Sequence, residues 1–155
     1  MNVKDILRLK DKVLFTVSPN SPIAEAICLM DENDIGAVVV VEGGEVVGML
    51  TFREVIAILA RRLKERYAGP TPPILEIFVR EAMFANPPIV TPEMDVDELR
   101  RLMVDSKARY VPVVDGKTLI CTISLRDITK AVLGEKNLEN KALKAYIYSS
   151  PEKDS

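Results

Sequence analysis

The sequence predicts an α+β fold built from two copies of one β-α-β-β-α unit. Three observations carry that prediction: an internal repeat at a fixed offset, a hydrophobic periodicity that changes in the same order within each copy, and a composition suited to one compact core. When the segment from Val17 is written above the segment from Val90, an offset of 73, the chain aligns without a gap through Leu133. Identities fall at Val17/Val90, Pro19/Pro92, Glu25/Glu98, Leu29/Leu102, Met30/Met103, Val38/Val111, Val40/Val113, Val41/Val114, Gly43/Gly116 and Arg53/Arg126. Conservative pairs join them at Ser18/Thr91, Ile23/Val96, Glu42/Asp115, Thr51/Ser124 and Glu54/Asp127. Matches spread over a whole supersecondary unit at one offset are the mark of duplication. A chain of 155 residues with 48% hydrophobic content has the length of about one domain and enough apolar material for one continuous core.

Each copy opens with a short extended piece, Phe15 to Val17 or Ile89 to Val90, which ends at Ser18-Pro19 or Thr91-Pro92 because proline cannot continue a ladder. A helix follows. In copy one Ser21 is the expected N-cap with Pro22 at the first helical position, and Ile23, Ala26, Ile27 and Met30 fall on one face. In copy two Asp95 is the expected cap with Glu98 at capping-box spacing, and Val96, Leu99, Leu102 and Met103 form the stripe. A β-hairpin comes next: Ala37 to Val41, a turn at Glu42-Gly43-Gly44-Glu45, and Val46 to Leu50, matched by Tyr110 to Val114, Asp115-Gly116-Lys117, and Thr118 to Ile123. The near-continuous valine run predicts a strand covered on both faces. The closing helix starts at Phe52 or Leu125, with Val55, Ile56, Leu59 and Leu63, or Ile128, Ala131 and Val132, along its apolar side.

Between the copies, Gly69-Pro70-Thr71-Pro72-Pro73 stops the long helix, and a short helical piece from Ile74 to Met83 leads into copy two. Asn2-Val3-Lys4-Asp5-Ile6 resembles Val79-Arg80-Glu81-Ala82, so each copy has a lead-in helix. Residues 138–148, with Leu143, Tyr146 and Ile147 on one side, predict a final amphipathic helix. The expected boundaries are 1–68 for the first repeat (core 15–67), 69–78 for the linker, 79–134 for the second repeat (core 88–134) and 135–155 for the C-terminal helix and tail.

Composition removes several classes of function. The 21 Lys+Arg residues nearly balance 23 Asp+Glu, for a net charge of −2, and no basic stripe is interleaved with aromatics, which argues against nucleic acid and against anionic membranes as partners. No apolar run approaches the roughly 20 residues of a membrane span, so a soluble, unprocessed, cytoplasmic protein is expected. The sequence has no histidine, which excludes Ser-His-Asp and Cys-His sites and removes the commonest metal ligand. Cys28 and Cys121 read as buried thiols rather than as a disulfide or metal pair. The absence of Trp and Gln beside abundant Lys, Arg and Glu leans towards a thermophilic source.

The strings GAVVVVEGGEVVGMLTFREVI and RYVPVVDGKTLICTISLRDITKAVL resemble the second half of a cystathionine-β-synthase (CBS) domain, whose hallmark is a hydrophobic strand pair ending in Gly-x-x-Thr-x-x-Asp. The resemblance covers nearly the whole chain. It implies two repeats packed about a pseudo-two-fold axis, with clefts for AMP, ADP or ATP, with or without Mg2+, or for S-adenosyl compounds. It further implies a homodimer that buries exposed apolar helix faces, and a regulated partner that is a separate protein. Carried over residue by residue, the ribose and phosphate contacts fall on Thr51 and Glu54 in copy one and on Ser124 and Asp127 in copy two. Base recognition falls on the extended pieces around Val17, Ser18, Val90 and Thr91.

Each copy departs from the hallmark once. Copy one has Glu54 where aspartate is expected, and copy two has Cys121 where glycine is expected. Thr51-x-x-Glu54 also has the spacing of a capping box, in which hydroxyl and carboxylate satisfy backbone donors at a helix start. Capping accounts for Glu54, and Thr51 fits either role. Ribose contact is the role read for Ser124 and Asp127, because the shorter aspartate reaches back to a cap less readily. Lys107, Arg109, Arg53 and Arg126 are the candidate phosphate cations, and since copy one has Asp34 and Gly36 where copy two has Lys107 and Arg109, charge points to one dominant site in copy two. The expected function is an adenine-nucleotide-sensing regulatory module without catalysis. A docking module with vestigial clefts and an S-adenosyl binder are the alternatives.

Overall fold

In the computed structural model, residues 1–10, 14–66, 77–134 and 143 are described. At the centre are two antiparallel hairpins, β2 (Ala37–Glu42) with β3 (Glu45–Thr51) and β5 (Tyr110–Asp115) with β6 (Thr118–Ser124). Gly43 and Gly44 close the first with φ of +59° and +80°, the sense of turn that matches strand twist. The register of each hairpin slips once, between Val40 and Val41 and between Val113 and Val114, which are equivalent positions of the repeat. The duplication therefore extends to backbone irregularities.

The valine run is covered on both faces, as its composition predicts: Val38, Val39 and Val40 are each 0% exposed. Val38 and Val40 join Ile23, Ala26, Met30, Leu50 and Ile58 in the core of copy one. Val39 points the other way, and with Ala37 and Met49 it meets Tyr110 and Leu119 of copy two. Alternate residues of one strand thus serve the core of a copy and the seam between copies. Around the hairpins lie α2 (Ile23–Glu32), α3 (Phe52–Arg66), α5 (Val96–Ser106) and α6 (residues 125–134), while β1 (Thr16–Val17) pairs parallel with β2.

The two lead-in helices are exchanged. Helix α1 (Val3–Leu7) sends Val3, Ile6 and Leu7 into the core of copy two, and helix α4 (Val79–Ala82) sends Val79 into the core of copy one beside Ile77. Backbone bonds fasten both: the Val3 and Lys4 amides donate to the Met94 and Pro92 carbonyls at 2.9 and 2.8 Å, and the Val79 and Arg80 amides donate to those of Ser21 and Pro19 at 2.9 and 3.0 Å. Paired bridges at Asn2 with Asp95 and Phe78 with Pro22 repeat the relation. Such reciprocity is what an approximate two-fold axis produces. After α4, strand β4 (Phe84–Ala85) pairs with β3 at Gly48 and Met49, and a Cβ on Gly48 would lie 2.5 Å from Met83 Sδ. Glycine is required there by close approach.

Some local expectations change. Pro22, with ψ of 141°, is itself the N-cap of α2 with no side-chain capping bond, and the preceding Ser21 carbonyl accepts from the Val79 amide of α4. Asp95 caps α5 by accepting from the Asp97 amide at 2.9 Å, one position short of the box anticipated with Glu98. Cys28 is exposed, not buried, because it falls outside the apolar stripe of α2; Cys121 is buried. Of the linker expected at 69–78, residues 69–76 lie outside the described residues, as does the C-terminal helix expected at 138–148 apart from helical, exposed Leu143.

Candidate functional site

A cleft of about 520 Å³ opens between the two copies, within the range of small-molecule sites. One wall is the junction of β3 and α3, which brings Thr51, Arg53 and Glu54 to the surface. The sequence folds this way because Thr51 and Glu54 cap the helix together: the Thr51 amide donates to Glu54 Oε2 at 2.9 Å, the Thr51 hydroxyl donates to the same oxygen, and the Arg53 amide donates to Thr51 Oγ1 at 3.2 Å. Both contacts fall on Glu54 Oε2.

The opposite wall comes from copy two. Lys107 ends α5 with a left-handed φ of +56°, followed by Ala108, Arg109 and Tyr110 leading into β5. Asp34, the equivalent of Lys107, has φ of +50°, so the repeat preserves the turn while exchanging an acid for a base. Gly36, the equivalent of Arg109, leaves room for the Tyr110 ring: a Cβ on Gly36 would collide with the tyrosine hydroxyl. Met49, Phe84, Pro87 and Pro88 supply an apolar floor. Three cations, the hydroxyl residues Thr51, Ser106 and Tyr110, one carboxylate and an apolar surface therefore line one cleft, and Lys107, Arg109 and Arg53 are exposed enough to meet a ligand.

The second motif is arranged differently. Ser124 and Asp127 form a reciprocal box at the start of α6, with the Ser124 amide donating to Asp127 Oδ2 at 2.8 Å and the Asp127 amide to Ser124 Oγ at 3.0 Å. The reading that aspartate is too short for this is corrected: Asp127 reaches its cap. Asp127 Oδ2 also accepts from Lys10 Nζ at 2.9 Å, and Lys10 Nζ donates to the Thr122 carbonyl at 2.5 Å. Partial burial opposes ionisation of this carboxyl more than any other single influence, but Lys10 and the Ser124 amide together outweigh it and hold the pKa below the ordinary aspartate value.

Thr51, Glu54, Arg53, Lys107 and Arg109 are thus brought together, whereas Ser124, Arg126 and Asp127 line no part of this cleft. The two cations of copy two, Lys107 and Arg109, line this cleft with the hydroxyl and carboxylate of copy one and not with Ser124 and Asp127. Val17 and Val90 are buried, 7% and 0% exposed, and are committed to ladder bonds with β2 and β5, while Ser18 and Thr91 are exposed outside the cleft. Phe84, Pro87 and Pro88 were missed because they lie between the aligned segments. Lys10 was missed because it is 117 residues from its partner.

The CBS-domain sequence profile matches residues 3–61 and 79–134. A Bacillus subtilis CBS domain-containing protein, YhcV, is 34% identical over 127 residues, spanning 82% of each chain. A solved signal-transduction protein with CBS domains from Burkholderia ambifaria is 34% identical with a TM-score of 0.74, covering 86% of this chain and 95% of that one. Two further CBS structures share the fold: CBSX2 in complex with AMP, 22% identical with TM-score 0.69 over 87% of this chain and 98% of that one, and the CBS pair of MJ0100 with 5-methylthioadenosine and S-adenosyl-L-methionine, 23% identical with TM-score 0.71 over the same shares. The duplicated fold defines a paired-repeat type of domain with a cleft between its copies. The chain belongs to the CBS-domain family and carries two CBS repeats.

Proposed function

We propose that the cleft between the repeats binds an adenine nucleotide and that the chain acts as a non-catalytic regulatory module on a separate partner. The observation that carries this reading is the convergence of Arg53, Lys107 and Arg109 on Thr51 and Glu54 beside an apolar floor. Phosphate suits the cations. The Glu54 carboxylate suits a ribose hydroxyl, and Met49, Phe84 and the two prolines suit a purine face. The AMP complex of CBSX2 supports an adenine nucleotide in such a cleft.

The MJ0100 complexes favour a second reading, an S-adenosyl ligand. Such a ligand has no phosphate and offers at most one carboxylate to three cations, so the nucleotide is preferred. Signalling would run through self-association. Phe52, Ile56, Leu59 and Leu63 form an exposed apolar stripe along α3, and Phe52 and Ile56 also line the cleft. A homodimer formed on that stripe shares side chains with the ligand, which gives binding a differential effect on assembly.

Isothermal titration with AMP, ADP, ATP and S-adenosylmethionine, repeated on Arg109→Ala, tests the reading. Saturable nucleotide binding weakened about tenfold or more is expected from losing a charge-assisted contact of about 1.5–3 kcal/mol. S-adenosylmethionine binding unaffected by the substitution, with no nucleotide binding, supports the second reading. Silence with all four leaves a docking module.

A further inference from the structure

The second motif keeps its serine and aspartate, Ser124 and Asp127, yet is engaged from within. Lys10 lies outside both aligned copies, and the exchange of lead-in segments carries it onto copy two, where its ammonium bonds Asp127 at 2.9 Å and the Thr122 carbonyl at 2.5 Å. Both side chains are largely shielded, 19% and 21% exposed, so the pair is not a solvated surface contact. In the open cleft the corresponding stretch after the other lead-in helix is Asn86, Pro87 and Pro88, which brings no ammonium to Glu54. Under the repeat's offset, the residues equivalent to Lys107, Arg109 and Tyr110 are Asp34, Gly36 and Ala37, so the two positions that carry Lys107 and Arg109 in the open cleft carry no cation in the other copy.

We infer that Lys10 is an occupancy-determining residue: a tethered cation that holds the second ribose-binding carboxylate and limits the chain to one nucleotide. Lys10 and the Ser124 amide both bond Asp127 Oδ2, so a ribose diol that spans the two carboxylate oxygens meets the lysine and competes with it. Release of Lys10 leaves Arg126 as the repeat's equivalent of Arg53, with Asp34 and Gly36 at the positions that carry Lys107 and Arg109 in the open cleft. The second site then takes an uncharged ribonucleoside in preference to a nucleotide.

This rests on adenine-nucleotide binding in the open cleft, and the test separates the two. Isothermal titration with AMP counts the open cleft, and titration of the AMP-saturated protein with adenosine counts the second motif. One AMP and no adenosine per chain are expected for the unsubstituted protein. Lys10→Met is expected to add one adenosine per chain, Lys10→Arg to add none, and Asp127→Asn in the Lys10→Met background to lose it again. Two AMP per chain, or adenosine uptake by the unsubstituted protein, overturns the inference; so does absence of adenosine binding to Lys10→Met with AMP binding intact. If AMP fails to bind, the nucleotide reading falls, while the adenosine titration still decides whether Lys10 guards Asp127.

Discussion

Two copies of one motif, Thr51-x-x-Glu54 and Ser124-x-x-Asp127, begin equivalent helices and end in different electrostatic company. The first faces Arg53, Lys107 and Arg109 across an open cleft, while the second is paired internally with Lys10. By sequence the second motif has the better match in its acidic residue, yet the first receives the cations. The lesson is that in a duplicated fold with an approximate two-fold axis, the completing residues come from the other copy. Ligand capacity therefore cannot be judged copy by copy.

The comparison can be broken most severely through the exchanged lead-ins. Ile6→Ala removes a side chain 1% exposed in the core of copy two, and a loss of about 2–5 kcal/mol in chemical denaturation is expected. If copy two were self-contained, the same substitution would cost little. Next in size is Gly48→Cys, which installs at copy one the residue that copy two carries at Cys121. Contact with Met83 Sδ and with the Phe84 carbonyl, 3.2 Å from the added Cβ, is expected to destabilise by about 1–3 kcal/mol and loosen the pairing of β4. Smaller again is an acid-labile contribution from Asp127. Its folded pKa lies below the unfolded one, so the stabilisation is fully present above the ordinary aspartate pKa and is lost as pH falls through that value towards the folded one. Denaturation midpoints across that acid range should fall more steeply for the unsubstituted protein than for Lys10→Met.

The hairpins, their glycine turns and the doubly covered valine strand were readable in the sequence, because period-two patterning and a fixed offset are local signals. Exchange of α1 and α4 was not, since each lead-in helix is five or four residues long and its contacts lie with the opposite copy. The site was half readable. Thr51, Glu54, Arg53, Lys107 and Arg109 were named from the sequence and line one cleft, but Ser-x-x-Asp reads the same as a cap and as a ribose contact, and spacing alone could not pair Thr51 with Arg109. No pattern in the chain joins Lys10 to Asp127, because what unites them is the path of the backbone.

The measurement that tests the central claim most directly is AMP affinity of Arg109→Ala compared with Arg126→Ala. Arg109 lines the open cleft with Thr51 and Glu54, and Arg126 sits two positions beyond Ser124 outside it. A cleft shared between copies predicts about tenfold or greater weakening for the first and no change for the second. Equal losses, or loss with Arg126→Ala alone, would contradict it and return the nucleotide to copy two.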